Sequence, residues 1–417
     1  MTADEQPGVV PLLKAFRPER HWFIALLLAV HLSICLFVLA KNVRQPKTSD
    51  RLVSSDSVHY VDIASAFCSG DFSMAYVKER PHRQPLYPAL LAIAMKLGGG
   101  NRFFLGLVNV LVDSAAILLT YVFTLSLFGK RLAASVAALG LAANPFMDRL
   151  VTARLLTEPL HLSLTICAIM TFLKYLQNRK RKWLFVCAAL AGLDYLTRPN
   201  GLFMAMTAIG TLGLSDVVSY FAEGDRRFPF HVWFFKTIAS YGAAVAVFLI
   251  FSAPSWIPRL IYFGGPFHHG YLENYMWVDV YREGHVGESY ASFTWRDYIA
   301  HHHPRDVIAR IMHGLRNVYF RIPITMERAP ILFLLSIGGV FVAFFRASPE
   351  FRYLCLFLFL QLLPLVWTNL SNPTARVPYG STLPFELFLA ALFVAFLAEN
   401  PAVHTWFGRR FGRQANA

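Results

Sequence analysis

Two short polar stretches hold the residue types suited to chemistry: Ser55-Asp56-Ser57-Val58-His59-Tyr60 and Arg83-Gln84-Pro85-Leu86-Tyr87-Pro88. A lone carboxylate, Asp56, can take a proton from an attacking hydroxyl. A guanidinium such as Arg83 can grip two phosphate oxygens at once and never loses its charge. Three more arginines, Arg154, Arg198 and Arg376, fall at the ends of apolar runs, where snorkelling toward lipid head groups explains any one of them. Four of them around one carboxylate-bearing loop favour anion binding. After Asp56, residues Tyr60, Ile63 and Phe67 recur at helical spacing and Gly70 can end the turn, so 56–69 is predicted to be a short amphipathic helix. An acid that opens a helix is also a cap, so the chemistry of Asp56 has to come from its neighbours.

Glu158 precedes Pro159 at the start of an apolar run, which is good helix-start chemistry in itself. Arg154 and Glu158 stand four apart, as do Asp194 and Arg198, the spacing of simple helical ion pairs. Asp113 lies inside an apolar run, where an unpaired charge costs at least about 2.5–3.5 kcal/mol, so it must face the interior of a helix bundle. The histidines of His268-His269 and His301-His302-His303 are adjacent and diverge, so structural or surface roles are expected of them and no metal site is expected. None of the five cysteines stands at C-x-x-C spacing, so neither a disulfide framework nor a zinc site is encoded.

These residues sit in an unusually apolar chain. Of 417 residues 56% are hydrophobic and 15% charged, and the mean hydropathy is +0.45, more than a soluble core requires. The apolar runs approach the roughly 20 residues of a membrane-spanning helix and lack the roughly 10-residue alternation of barrel strands. An all-α polytopic membrane protein is predicted, with about ten spans near 22–40, 103–128, 131–146, 159–176, 183–197, 201–217, 232–254, 330–346, 352–369 and 378–398. Residues 85–98 are apolar but short, and are expected to lie in the interface. Prolines 145, 159, 199, 254, 258, 373, 378 and 384 are expected at the outer ends of spans, where helices start, stop or break.

Sixteen lysines and arginines fall on one set of short loops, against only Arg149, Arg154, Arg198 and Arg376 on the other. The basic side is read as cytoplasmic. Residues 1–21 and the basic tail 399–417 are then cytoplasmic, 22–398 form one membrane domain, and the long loops 41–102 and 255–329 are external. The first run follows a long basic segment and reads as an anchor, not a cleaved signal. The net charge of +14 comes mainly from this bias, and without a basic stripe interleaved with aromatics no nucleic-acid partner is expected.

The order of Asp56-x-x-x-Tyr60, Arg83-x-Pro85-x-Tyr87-Pro88, Thr157-Glu158-Pro159-Leu160, Gly192-Leu193-x-x-Leu196-Thr197-Arg198-Pro199 and Arg376-Val377-Pro378 resembles the C-type, polyprenyl-phosphate-dependent glycosyltransferases. The similarity is to their protein O-mannosyltransferase and lipid A aminoarabinose transferase branch, and it spans roughly residues 20–400. Many members carry Asp-Glu where this chain has Asp56-Ser57, and Arg-Tyr where it has Arg376-Val377, which bears on the substrate.

The resemblance implies a C-type glycosyltransferase fold whose two external loops carry juxtamembrane helices. It also implies an inverting transfer of a sugar from a polyprenyl-phosphate donor to a lipid, glycan or protein acceptor of the cell envelope. The site would lie on the external, periplasmic side of a multi-pass inner-membrane protein, among membrane lipids. Asp56 would be the general base; Arg83, Arg198, Arg376 and Arg154 would bind the donor phosphate; Tyr60, Tyr87 and Glu158 would orient substrate or hold an arginine. No cofactor or divalent metal is then called for. The rival classes are a transporter or flippase of lipid-linked sugars, and an O-antigen polymerase or ligase. A transporter should show paired broken helices in corresponding halves, and the sequence has no such repeat.

Overall fold

The apolar run after residue 21 forms α1 (Trp22–Arg44). Trp22, Leu26, Val30, Ile34 and Phe37 make an outward apolar stripe, while Ile24, His31, Cys35 and Leu39 face the protein. A helix apolar on both faces in this way suits lipid on one side and protein on the other. The computed structural model describes residues 22–45, 56–144, 147, 151–222, 229–268, 295–321, 331–345, 349–368 and 376–400, and helices are the only regular elements among them. The all-α prediction is borne out.

Helix α2 (Asp56–Cys68) begins at Asp56 as predicted and buries Tyr60, Ile63 and Phe67. A single turn, α3 (Tyr76–Glu79), leads to α4 (Leu86–Gly98), the short apolar helix read from the sequence. Next comes α5 (Arg102–Phe128), whose start is capped by the Asn101 side chain accepting from the Phe103 N–H and whose end is closed by Gly129 in the left-handed region. Asp113 on α5 is buried against His31 of α1 at 2.9 Å, as its place in the membrane demanded.

Helix α6 (Arg131–Ala142) buries a row of alanines, small residues that let membrane helices approach closely. Helices α7 (Glu158–Asn178) and α8 (Arg181–Tyr195) form an antiparallel hairpin through Arg179 and Lys180, so the start of α7 and the end of α8 share one end of the bundle. They are followed by α9 (Asn200–Ala222) and α10 (Phe230–Phe263).

At 34 residues, α10 is about 51 Å long, well beyond the roughly 30 Å hydrocarbon core. Its last turns carry Ser255 and Arg259. Pro254 and Pro258 lie inside this helix, and Pro384 inside the last one, a correction to the expectation that they mark span ends. Pro254 removes the N–H that would bond the Ile250 carbonyl, and next to this break Ser252 Oγ and Trp256 Nε1 donate to the carbonyls of Phe248 and Leu249.

The remaining elements are α11 (Trp295–His301), α12 (Pro304–Arg316) running into a π turn at Asn317–Arg321, α13 (Ile331–Phe345), α14 (Pro349–Leu360), α15 (Leu363–Thr368) and α16 (Arg376–Glu399). Every predicted span contains helix. Among the described residues, six helices are long and apolar enough to cross a membrane: α1, α5, α7, α9, α10 and the Thr382–Glu399 part of α16. The other predicted spans fall on the shorter α6, α8, α13 and the α14–α15 pair. The architecture is that of a multi-pass membrane protein.

Candidate active site

Helix α2 places Asp56, His59 and Tyr60 at i, i+3 and i+4, so their side chains leave one face together. Arg83, from the segment between α3 and α4, lies across that face. Its Nη2 donates to Asp56 Oδ1 at 2.5 Å, its Nη1 donates to Tyr60 Oη at 3.1 Å, and its Nε and Nη2 reach His59 Nδ1 at 3.3 and 3.1 Å. The guanidinium also stands over the Tyr60 ring, 4.9 Å from its centroid. Arg83 is buried, whereas Asp56 leaves 25% of its side-chain surface open, enough for a reacting group to meet it.

The Arg83 segment is held in place by two elements, α8 and α10. Leu86 N–H donates to the Leu196 carbonyl at 2.9 Å, tying it to the end of α8. Ser255 Oγ donates to Gln84 Oε1 at 2.6 Å. Arg259, fully buried on α10, donates to the carbonyls of Pro81, Arg83, Ser255 and His268 and to Ser255 Oγ. That uses all five of its N–H groups, and none of the acceptors is a carboxylate.

Behind Arg83 the network continues into the helix bundle. Tyr60 and Tyr87 meet edge to face at 5.3 Å, Tyr87 Oη donates to Asn109 Oδ1 at 2.7 Å, and Asn109 Nδ2 donates to the Arg154 carbonyl at 2.9 Å. One residue on, the Leu155 N–H donates to Ser57 Oγ at 3.2 Å, which sets Arg154 beside Asp56 with its side chain exposed.

Glu158 and Arg198 are both buried and stand 3.5 Å apart; Arg198 Nη1 has no hydrogen-bond partner among the described residues. One layer deeper, His161 Nδ1 and Asp194 Oδ1 are 2.7 Å apart. Gly201 allows this corner to close, since a Cβ there would fall 2.2 Å from the Tyr195 nitrogen.

The structure thus brings together Asp56, Tyr60, Arg83, Tyr87, Glu158, Arg198 and the backbone of Arg154. Arg376 opens α16, but its side chain lies outside the described residues. The two i,i+4 ion pairs read from the sequence are not the ones formed. Arg198 lies beyond the end of α8 and Arg154 before the start of α7, so neither pair is on a helix, and Glu158 meets Arg198 while Asp194 meets His161.

His59 and Gln84 lie inside the two polar stretches but had no role assigned from sequence, and Asn109, Ser255 and Arg259 were not singled out. For His59 the signal was its i+3 offset from Asp56; nothing local marked Arg259, 176 residues from the carbonyl it holds. His303 caps α12 in a reciprocal box with Asp306, and His302 stacks on Tyr298, the structural roles expected of that cluster. His269 lies outside the described residues.

Two imidazoles line the site in neutral form. Burial, then the charges of Arg83 and Arg80 opposed by Asp62, holds His59 below its ordinary value of 6.5. Burial, reinforced by Arg83, His59, Arg80 and Arg259, pushes His82 down to about 3.

The model of the dolichyl-phosphate-mannose-protein mannosyltransferase family matches residues 80–257. That stretch contains Arg83, Tyr87, Arg154, Glu158 and Arg198, and begins after Asp56. No curated protein matches the sequence. Among solved structures, the oligosaccharyltransferase AglB from Archaeoglobus fulgidus, in complex with an inhibitory peptide and a dolichol-phosphate, superposes with a TM-score of 0.50 at 14% identity over 94% of this chain and 52% of its own. The chain has the C-type glycosyltransferase fold. It spans about half the length of the archaeal enzyme. ArnT from Cupriavidus metallidurans is a further similar structure, with a TM-score of 0.42 at 16% identity over 95% of this chain and 81% of its own in the apo state. Bound to undecaprenyl phosphate, ArnT has a TM-score of 0.40 at 17% identity, over 93% of this chain and 80% of its own.

Proposed function

We propose that the protein is an inverting glycosyltransferase that moves a sugar from a polyprenyl-phosphate donor to a hydroxyl of a lipid, glycan or protein acceptor at the outer face of the inner membrane. The observation that carries this reading is the partly open Asp56 carboxylate fixed by a buried arginine in a site rich in guanidinium groups. The family match to a mannosyltransferase and the dolichol-phosphate in the archaeal structure support the donor class.

In the proposed step the acceptor oxygen attacks the anomeric carbon as the bond from that carbon to the phosphate oxygen breaks. Its proton passes to Asp56, and the electron pair leaves with the polyprenyl phosphate. One displacement inverts the configuration. A free aspartate has a pKa of about 3.9 and is a weak base, but the hydroxyl acidifies as its bond to the sugar forms, so a late proton transfer suffices.

The leaving phosphate gains negative charge, which fixed donors stabilise best in a water-poor site. Arg198, whose Nη1 is ion-paired with Glu158 but makes no hydrogen bond to a described residue, is suited to this, and Arg154 and Arg376 are assigned with it. Arg83 adds its charge while its N–H groups fix Asp56, Tyr60 and His59. Arg259 places a further buried positive charge behind the same segment. Tyr60 and Tyr87 back Arg83 from the bundle side, and Glu158 holds Arg198. The step is written without a metal ion.

The test is reconstitution of the full chain in proteoliposomes with radiolabelled dolichyl-phosphate or undecaprenyl-phosphate mannose, galactose and aminoarabinose, plus cell-envelope acceptor fractions. Transfer of label with inverted anomeric configuration is expected from at least one donor. Retention of configuration, or movement of intact lipid-linked sugar across the bilayer without transfer, contradicts the proposal.

A further inference from the structure

We propose that His59 is a positioning residue of this site, a neutral hydrogen-bond acceptor that holds Arg83 against Asp56. The inference rests on the reading of Asp56 as the base. Arg83 Nη2 carries two hydrogens, and its partners are Asp56 Oδ1 at 2.5 Å and His59 Nδ1 at 3.1 Å; the single Nε–H points to the same Nδ1 at 3.3 Å. Tyr60 Oη takes Nη1 on the other side. Three residues of one helix face thus grip one guanidinium, and His59 is the partner that engages both Nε and Nη2. Without its lone pair the Nε–H loses its acceptor and the guanidinium can swing away from the carboxylate.

The arrangement exists only with an unprotonated Nδ1, because a protonated imidazole would aim an N–H at a cation. The charged and titratable groups facing His59 are Asp56, Tyr60 and Asp62 on its own helix, and Arg80, His82 and Arg83 from the adjoining segment. Arg80 is paired with Asp62 at 2.8 Å, and the His82 ring meets the His59 ring edge-on at 6.1 Å. Burial and the two arginines keep His59 neutral at pH 7, and it takes up a proton only as the pH falls below the ordinary histidine range. Protonation of His59 then loosens Arg83.

His59→Phe keeps a ring without an acceptor, and His59→Asn keeps an acceptor oxygen near the place of Nδ1 without a titrating group. Nitrogen-15 histidine spectra of the full chain in lipid nanodiscs need no donor. They should show an unprotonated Nδ1 at pH 7, and a titration midpoint below 6.5 that rises in Arg83→Met. With dolichyl-phosphate mannose as donor in the same nanodiscs, His59→Phe should lower kcat about 10- to 100-fold with KM little changed. His59→Asn should recover most of that loss and should lack the acid-side inflection that His59 imposes on the unmodified protein.

A protonated Nδ1 at pH 7, a midpoint unmoved by Arg83→Met, or identical rates and pH profiles for the three proteins overturns the proposal. Expected spectra together with no transfer from any donor would remove the transferase reading and leave the hold of His59 on Arg83 standing.

Discussion

Replacing Arg259 with Met tests whether the Arg83 segment is set from α10. Met keeps most of the side-chain volume and removes five hydrogen bonds and a buried charge. The buried carbonyl of Arg83 loses its donor at a cost of about 1–3 kcal/mol, and the part-buried carbonyls of Pro81 and His268 lose theirs at less because water can reach them. Relief of the buried charge offsets part of that sum. A net loss of roughly 1–3 kcal/mol follows for the folded state around this corner.

The larger consequence is geometric. With its carbonyl released, Arg83 no longer holds a fixed place over Asp56, and a displacement of about 1 Å at a reacting group costs on the order of 10²-fold in rate. Thermal unfolding in detergent can be followed with a dye that reacts with the buried thiols of Cys35 and Cys187. The expected result is a lowered midpoint together with a fall in kcat that persists well below that midpoint. Arg259→Lys should be a poor rescue, since three ammonium hydrogens cannot serve five acceptors. An Arg259→Met protein with unchanged midpoint and unchanged transfer refutes the reasoning.

Arg198→Ala should weaken use of the lipid-phosphate donor, with Lys restoring little because it lacks the planar fork; equal donor dependence in all three proteins would remove Arg198 from the site. His82 is held at about 3 against 6.5 when unfolded, so the unfolded chain binds the extra proton between those values. Its contribution to stability is complete above pH 6.5 and is lost as the pH falls toward 3, and His82→Gln should flatten that part of the acid-unfolding curve; an unaltered curve contradicts this. Single cysteines at Asp71 and Gly284 should label from the same side of the membrane, opposite to one at Lys180, and any other pattern contradicts the proposed orientation.

The fold was legible in the sequence wherever apolar runs were long, because a membrane helix must bond its own backbone and be apolar over its length. That is why α1, α5, α7 and α10 lie where the runs lie, and why Asp113 was rightly turned inward. The runs of α6 and α8 read as spans although shorter than a full crossing, because alanine-rich runs look the same whether they face lipid or close-packed protein. Asp56, Arg83 and Glu158 stood out by residue type against an apolar background. Their partners did not. Arg259 meets Arg83 only because α10 runs past two prolines, and i,i+4 spacing misassigned Asp194 and Glu158 because the helices stop just short of Arg198 and begin just after Arg154. Contacts made between helix ends leave no local trace in one sequence.

Asp56 opens a helix and is therefore both a potential base and a cap. Asn caps as well as Asp, so Asp56→Asn separates the two roles. The deciding measurement is the initial transfer rate of purified Asp56→Asn at saturating donor, beside its thermal midpoint. The account predicts a folded protein whose rate has fallen roughly 10²–10⁴-fold; a folded variant that keeps most of its rate would contradict it.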